Sequence, residues 1–188
     1  MSEVPTLKTD RFTMRRLQRG DEVAMFPTMA DEEQSLYLTR PKFESEEELW
    51  DWFADPAWPG RTWIAVDSAN MVVGRFVAGP SHGSDDAHGP VFEIGYITAK
   101  HAQGSGVARE CTRALIDHLW QEGARKITAE VDTRNTPSVR LLESLGFTRE
   151  AHLREHEVTH IGMCDVYWYA KLRGNGQIIA LEKHERES

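Results

Sequence analysis

"VFEIGYITAKHAQGSGVARE", residues 91–110, decides how this chain is to be read. Residues 91–98 are mostly β-branched or aromatic, which predicts a central strand. Residues 106–123, "GVARECTRALIDHLWQEG", have helical periodicity, with Ala108, Cys111, Leu115, Leu119 and Trp120 near one face and Gly123 as the stop. Between strand and helix lies a short loop carrying Gly104 and Gly106. Such a loop suits a phosphate, because glycines let backbone amides approach an anion and the helix start adds unpaired N–H groups and a favourable dipole. It is neither a P-loop nor the dinucleotide fingerprint, since no G-K-[ST] follows and G-x-G-x-x-G is not met. Taken alone, "QGSGVA" reads equally well as a helix-entry turn.

Working outward, residues 7–17 read as a first strand, and 20–34 as a helix whose length is limited by Pro27. Residues 44–53, "ESEEELWDWF", start with acids suited to a helix N-terminus and place Leu49, Trp52 and Phe53 on one face. Residues 61–79 read as two strands around the turn residues 67–70, and 80–90 as a polar, glycine-rich loop. Downstream, 124–132 reads as a strand and 135–146 as a short helix closed by Gly146. Residues 147–172 read as a final hairpin turning at Ile161-Gly162. Strands and helices alternate in the middle with hairpins at both ends, which predicts an α/β fold with a sheet of mixed direction.

The chain has 188 residues, which suits one domain over residues 1–172 and a polar tail over 173–188. A chain of this size buries roughly 70% of its unfolded surface, enough to fold without a disulfide or metal. Cys111 and Cys164 are far apart and make no disulfide framework, so a reducing cytoplasm is the expected compartment. The first residues show no signal-peptide core, and no apolar run is long enough to span a bilayer, so no membrane partner is expected. A net charge of −8 argues against a nucleic-acid partner. It suits a cationic amine drawn by the field, or serves solubility alone.

Four neighbouring features sharpen the loop's meaning. Gln103-Gly104-Ser105-Gly106-Val107-Ala108 fits [QR]-x-x-G-x-[AG], and the strand before it contains Glu93-Ile94-Gly95-Tyr96. Asn135-Thr136-Pro137-Ser138 opens the later helix, which ends in Glu143-Ser144-Leu145-Gly146-Phe147. Together these resemble the GNAT acetyltransferase superfamily, in particular its RimJ/RimL-like branch of ribosomal-protein N-terminal acetyltransferases. The resemblance runs from about Leu7 to Leu172. It implies a splayed central sheet of about seven strands with about four helices, and acetyl-CoA as cosubstrate with no metal. It further implies that Gln103, Gly104, Ser105, Gly106, Val107 and Ala108 bind the pyrophosphate through backbone amides, and that the backbone of Tyr96, Ile97 and Thr98 pairs with the pantetheine arm. Asn135 would hold that arm and Ser138 would be a general acid. Glu110 reads as helix support, and Cys111 as a small buried thiol rather than a nucleophile.

One motif pulls elsewhere. His156-Glu157-Val158-Thr159-His160 matches H-E-x-x-H, in which two histidines hold zinc and the glutamate is a base. That reading needs a helix, where residues four apart are neighbours. On a strand His156 and His160 lie roughly 13 Å apart, too far to share one ion. The residues Val158, Thr159, Ile161 and Val166 to Tyr169 favour strand, and His152 then extends the same spread-out face. Glu157 points to the opposite face with Leu153 and Glu155. There it is a candidate general base, with Glu93 as its rival.

The chemistry follows from acid–base arithmetic. A free amine is largely protonated near neutral pH, so a carboxylate must take its proton before it attacks the thioester. The oxyanion would be met by backbone N–H groups, Ile97 among them, and the thiolate by a proton from Ser138 or Tyr169. The acceptor is a protein N-terminus or a small amine. Trp50, Trp52 and Trp58 either line its site or belong to the core, and the 80–89 loop would close over it. Two other readings stand: a non-catalytic acetyl-CoA-binding module, and a zinc hydrolase built on HEVTH. The final hairpin would support a homodimer on fold analogy.

Overall fold

Eight strands form one mixed sheet in the computed structural model, which describes residues 4–84 and 88–174. The expected first strand is a small hairpin instead, β1 (Leu7–Lys8) and β2 (Thr13–Arg16), because Thr9 closes a turn onto Phe12. Helices α1 (Asp21–Met29) and α2 (Glu46–Phe53) follow. Pro27 lies inside α1, two residues before its end, where it gives up one helical hydrogen bond, and Ser45 caps α2 by accepting from the Glu48 N–H at 3.1 Å. Strands β3 (Arg61–Val66), β4 (Val72–Pro80) and β5 (Val91–Thr98) then run antiparallel, β3 and β4 turning at Asp67 to Asn70 as expected. After a single 3-10 turn (Lys100–Ala102) come α3 (Val107–Gln121), β6 (Lys126–Asp132), α4 (Thr136–Ser144), β7 (Thr148–Thr159) and β8 (Gly162–Leu172).

The sheet order is β1-β2-β3-β4-β5-β6-β8-β7, so the mixed α/β expectation holds, with eight strands and four α-helices. Side chains alternate across it and build two cores. One face packs Trp63, Phe76, Ile94, Ile127 and Tyr169 against Cys111, Leu115 and Leu119 of α3 and Leu142 of α4. The other packs Ile64, Val66 and Val72 against Met25 and Met29 of α1 and Leu49 and Phe53 of α2. Ala108, expected on the buried face of α3, is only half-buried, and Val107, Thr112 and Ile116 join that face instead.

Two departures from a regular sheet position the site. Strands β5 and β6 are parallel but pair only from Val91↔Lys126 to Glu93↔Thr128, after which they part. Residues 94–98 therefore present an edge with no strand beside it. The second departure is in β7, where Leu153 faces Val166 and Glu157 faces Cys164, so three residues of β7 span one of β8. Glu155 sits there at φ 49 and donates its N–H to Asp165 at 2.9 Å. This bulge breaks the expected alternation at Glu155 but leaves Leu153 and Glu157 on one face. The hairpin turn is His160-Ile161, one residue before the expected pair, with Gly162 at φ 102 opening β8. No helix among the described residues is long and apolar enough to cross a membrane.

Candidate active site

Where β5 and β6 part, a cleft of about 1210 Å³ passes from one face of the sheet to the other. Its α3–α4 side is lined by the glycine loop and the start of α3, and by Asn135, Ser138 and Tyr96. Gly104 and Gly106 hold φ 74 and 86, left-handed values that suit glycine. They turn the chain so that Gly106 caps α3, whose first N–H groups have no partner within the helix. Arg109, in that first turn, brings a cation to the same wall. The loop is braced from outside, since Arg11 donates to the Ser105 carbonyl at 2.9 Å and to Glu110 at 2.7 Å, and Glu110 also accepts from Thr9 at 2.6 Å. Glu110 is thus helix support, as expected. Ser105 is the exception in the loop: its hydroxyl donates back to Ala102 at 2.6 Å, and it does not line the cleft.

Hydrogen-bond direction along β5 decides which backbone groups are open. Ala99 donates to Val73 at 3.0 Å, and alternation then commits Ile97 to β4, opposite Arg75. Tyr96 and Thr98 are left with their N–H and C=O directed to the parted edge. So Ile97, expected as an oxyanion donor, spends its N–H inside the sheet and offers the cleft its side chain. Gln103 donates to Thr98 O at 3.3 Å and to Gln34, tying the loop to the strand end. Asn135 caps α4, its Oδ1 accepting from the Ser138 N–H at 3.2 Å, which leaves its amide nitrogen for a ligand. Tyr169, the other expected proton donor, lies in the core, donates to Glu143 at 3.0 Å and does not line the cleft. Burial, then Glu143, pushes it up to about 12.

The opposite side of the cleft is acidic and aromatic. Glu93 and Glu157, the two expected bases, both line it, and Glu130 stands with them, a residue the sequence reading missed. Glu93 is raised above its ordinary value, first through burial and then through the charge of Glu130, with a smaller push from Glu157. Glu130 is raised too, by burial and then by Glu157. His82 lies near enough to pull both down. Of the three tryptophans, Trp52 and Trp58 line this side, whereas Trp50 stacks on Arg19 at 4.3 Å away from it. Arg75 also lines it and was likewise missed. Strand alternation was the available signal for both, since "ITAEVD" sets Glu130 on the face of Thr128 and "VVGRFVAG" carries a lone arginine among apolar residues.

His156 to Thr159 of HEVTH fall on β7 and His160 in the turn after it, not on a helix, so the zinc motif lacks the geometry that gives it meaning. His152 instead meets Asp165 at 2.7 Å. No group of three or more His, Cys, Asp or Glu side chains able to hold a metal ion is found among the described residues. Cys111 is fully buried, and burial, then Glu110, pushes its thiol up to about 12. The 80–89 loop starts tied to β5, Ser81 donating to the Val91 carbonyl and Ser84 Oγ accepting from the Val91 N–H, each at 2.9 Å. Its residues 85–87, and the tail from 175, lie outside the described residues.

Comparison with known proteins agrees with this geometry. The family described as the acetyltransferase (GNAT) domain matches residues 11–148. An uncharacterized N-acetyltransferase p20 of Bacillus licheniformis is 29% identical over 89% of this chain and 96% of its own length. The mycothiol acetyltransferase of Pseudarthrobacter chlorophenolicus is 41% identical over 53% of this chain, which spans only 29% of that longer protein. Among solved structures, the spermidine N-acetyltransferase of Vibrio cholerae, in complex with CoA and spermine, superposes with a TM-score of 0.71. It is 25% identical, over 86% of this chain and 95% of that one.

Proposed function

The chain belongs to the GNAT acetyltransferase family and is an acetyl-CoA-dependent N-acetyltransferase, and on that premise we propose a direct transfer to a primary amine for which Glu93 is the general base. The single observation that carries this is the carboxylate group Glu93, Glu130 and Glu157 on the acidic side of a cleft whose other side is the glycine loop. Bound acetyl-CoA would supply an activated acyl carbon. The residues fit it: unpaired N–H groups at the start of α3 and Arg109 suit the diphosphate, and the open edge of Tyr96 and Thr98 suits an amide-bearing arm.

In this reading the amine enters from the α2 and β7 side as an ammonium, attracted by the three carboxylates. Glu93 takes its proton, directly or through one water, and its raised pKa brings it toward the pH at which a base works best. Backbone N–H groups of the parted edge, Tyr96 or Thr98, face the developing oxyanion. Ser138, in the first turn of α4, returns a proton to the departing sulfur. The acceptor is a small amine in preference to a protein N-terminus. The relatives named mycothiol acetyltransferase and spermidine N-acetyltransferase support this, while the likeness to the RimJ/RimL branch favours the N-terminus. A homodimer and a cytoplasmic location belong to the same proposal. The exposed Val158 and Met163 of the hairpin tip support the first and the two buried free cysteines the second.

The test is steady-state release of CoA thiol with a panel of primary amines, for the natural chain and Glu93→Gln. The substitution should lower kcat by about 10²- to 10⁴-fold with the KM for acetyl-CoA unchanged. Binding of acetyl-CoA without turnover of any amine would instead favour the binding-module reading.

A further inference from the structure

We propose that Arg75 is the docking point for a carboxylate on the acceptor, so that the molecule acetylated carries an acid as well as its amine. This rests on the reading above, in which the acceptor enters between α2 and β7. Arg75 is 6% exposed, yet it has no carboxylate partner among the described residues. Arg61, nearly as buried at 8%, is forked onto Glu122 with contacts of 2.6 and 2.5 Å. Buried cations in folded proteins are paired, because an unpaired one forfeits its hydration for nothing.

What surrounds Arg75 goes only part of the way. One guanidinium nitrogen donates to Thr62 Oγ1 at 3.2 Å, and Nε has no partner. The rings of Phe53, Trp52 and Trp58 lie 4.5, 4.8 and 5.8 Å from its central carbon. Rings soften the desolvation of a cation but do not satisfy its N–H donors. Burial pulls the group down to about 9, so it remains cationic at neutral pH.

Its place in the sheet supplies the rest. Arg75 pairs with Ile97 and Gly79 with Glu93, so Arg75 and Glu93 share the acceptor face, four residues apart along the strands. Val77 and Gly95 form the row between them on that face, so the floor there carries the Val77 side chain alone, which crosses to within 3.0 Å of where a Cβ of Gly95 would stand. The result is a trough with an anionic end at the three glutamates and a cationic end at Arg75, floored by Val77 and Gly95 and walled by Trp52 and Trp58. A molecule that satisfies both ends has an ammonium and a carboxylate. The planar fork of Arg75 matches a carboxylate better than any other simple anion except a phosphate.

The experiment measures product-side binding by calorimetry on the intact chain saturated with CoA. N-acetylglycine, N-acetylphenylalanine and N-acetylglutamate are each compared with the acetylated amino-acid amide in which the α-carboxylate is neutral. At least one acid should bind ten-fold or more tighter than its amide, with the difference lost in Arg75→Gln and partly restored in Arg75→Lys. Equal affinity of every acid and its amide in the natural chain, absence of binding by both included, overturns the proposal without recourse to any variant. A preference for the acid that persists in a folded Arg75→Gln also overturns it. Preference for the acid combined with no turnover of any amine would leave Arg75 as an anion site and remove the acetyl-transfer reading it serves.

Discussion

At Glu93 burial and the charge of Glu130 act in the same direction, and the consequence is measurable. The acidic limb of the kcat/KM profile should lie above the ordinary glutamate value, with activity rising as pH climbs through it. Replacing Glu130 by Gln removes a negative neighbour, stabilises the ionised form of Glu93 and should move that limb to lower pH. A limb that stays in place in Glu130→Gln would remove Glu130 from the site's electrostatics. Cys111 supplies the opposite case, because a thiol pushed up to about 12 in a closed core is inert. Cys111→Ala should retain full kcat, and the native thiol should resist iodoacetamide at pH 8. At this scale Glu93 and Glu157 were legible as candidate bases, and both line the cleft, because they stand in strand patterns beside recognisable motifs. Glu130 and Arg75 were not, since no motif includes them and their meaning comes from which strands adjoin.

Helix α4 shows how one side chain serves both fold and site. Asn135 accepts from the Ser138 N–H and so fixes the turn that carries Ser138 into the cleft. Asn135→Ala should cost about 1 kcal/mol of stability by chemical denaturation. Asn135→Asp keeps the acceptor oxygen and should restore that stability, yet it replaces the free amide by a negative charge and should raise the KM for acetyl-CoA. Equal KM values in the natural chain and Asn135→Asp would confine Asn135 to capping. Most elements were legible from periodicity and end signals, among them β5, α2, α3 and the turn at Asp67 to Asn70. The break between β1 and β2 was not, because Thr9 ends the strand by a side-chain bond that leaves no compositional mark. Nor was the bulge in β7, where Asp165 of the partner strand accepts the Glu155 N–H across ten residues of sequence. That bulge also shows why HEVTH misleads, since the spacing of a motif carries meaning only on the element it was defined for.

Across the whole molecule, a mixed sheet that parts at β5 and β6 joins two walls of opposite character, one suited to an anion and one to an amine. The glycine loop, the cap of α4 and the strand edge were legible together, and they sufficed for the family and the cosubstrate. The acceptor wall was not, because it is assembled from α2, β4, β6 and β7, which no local pattern links. Since acetyl-CoA would bind the folded chain alone, ligand at about 100 times its dissociation constant should stabilise the fold by about 2.7 kcal/mol. For a chain of this length that raises the melting temperature by roughly 5–10 °C. The measurement that tests the account most directly is calorimetric titration of acetyl-CoA into the natural chain and into Gly106→Trp, with circular dichroism to establish that both are folded. The account predicts one site per chain in the natural protein and its loss in the variant, because a side chain at φ 86 is strained and its Cβ meets the Arg11 guanidinium that braces the loop, which moves the loop amides out of place. No binding to the natural chain, or equal binding to a folded Gly106→Trp, would contradict it.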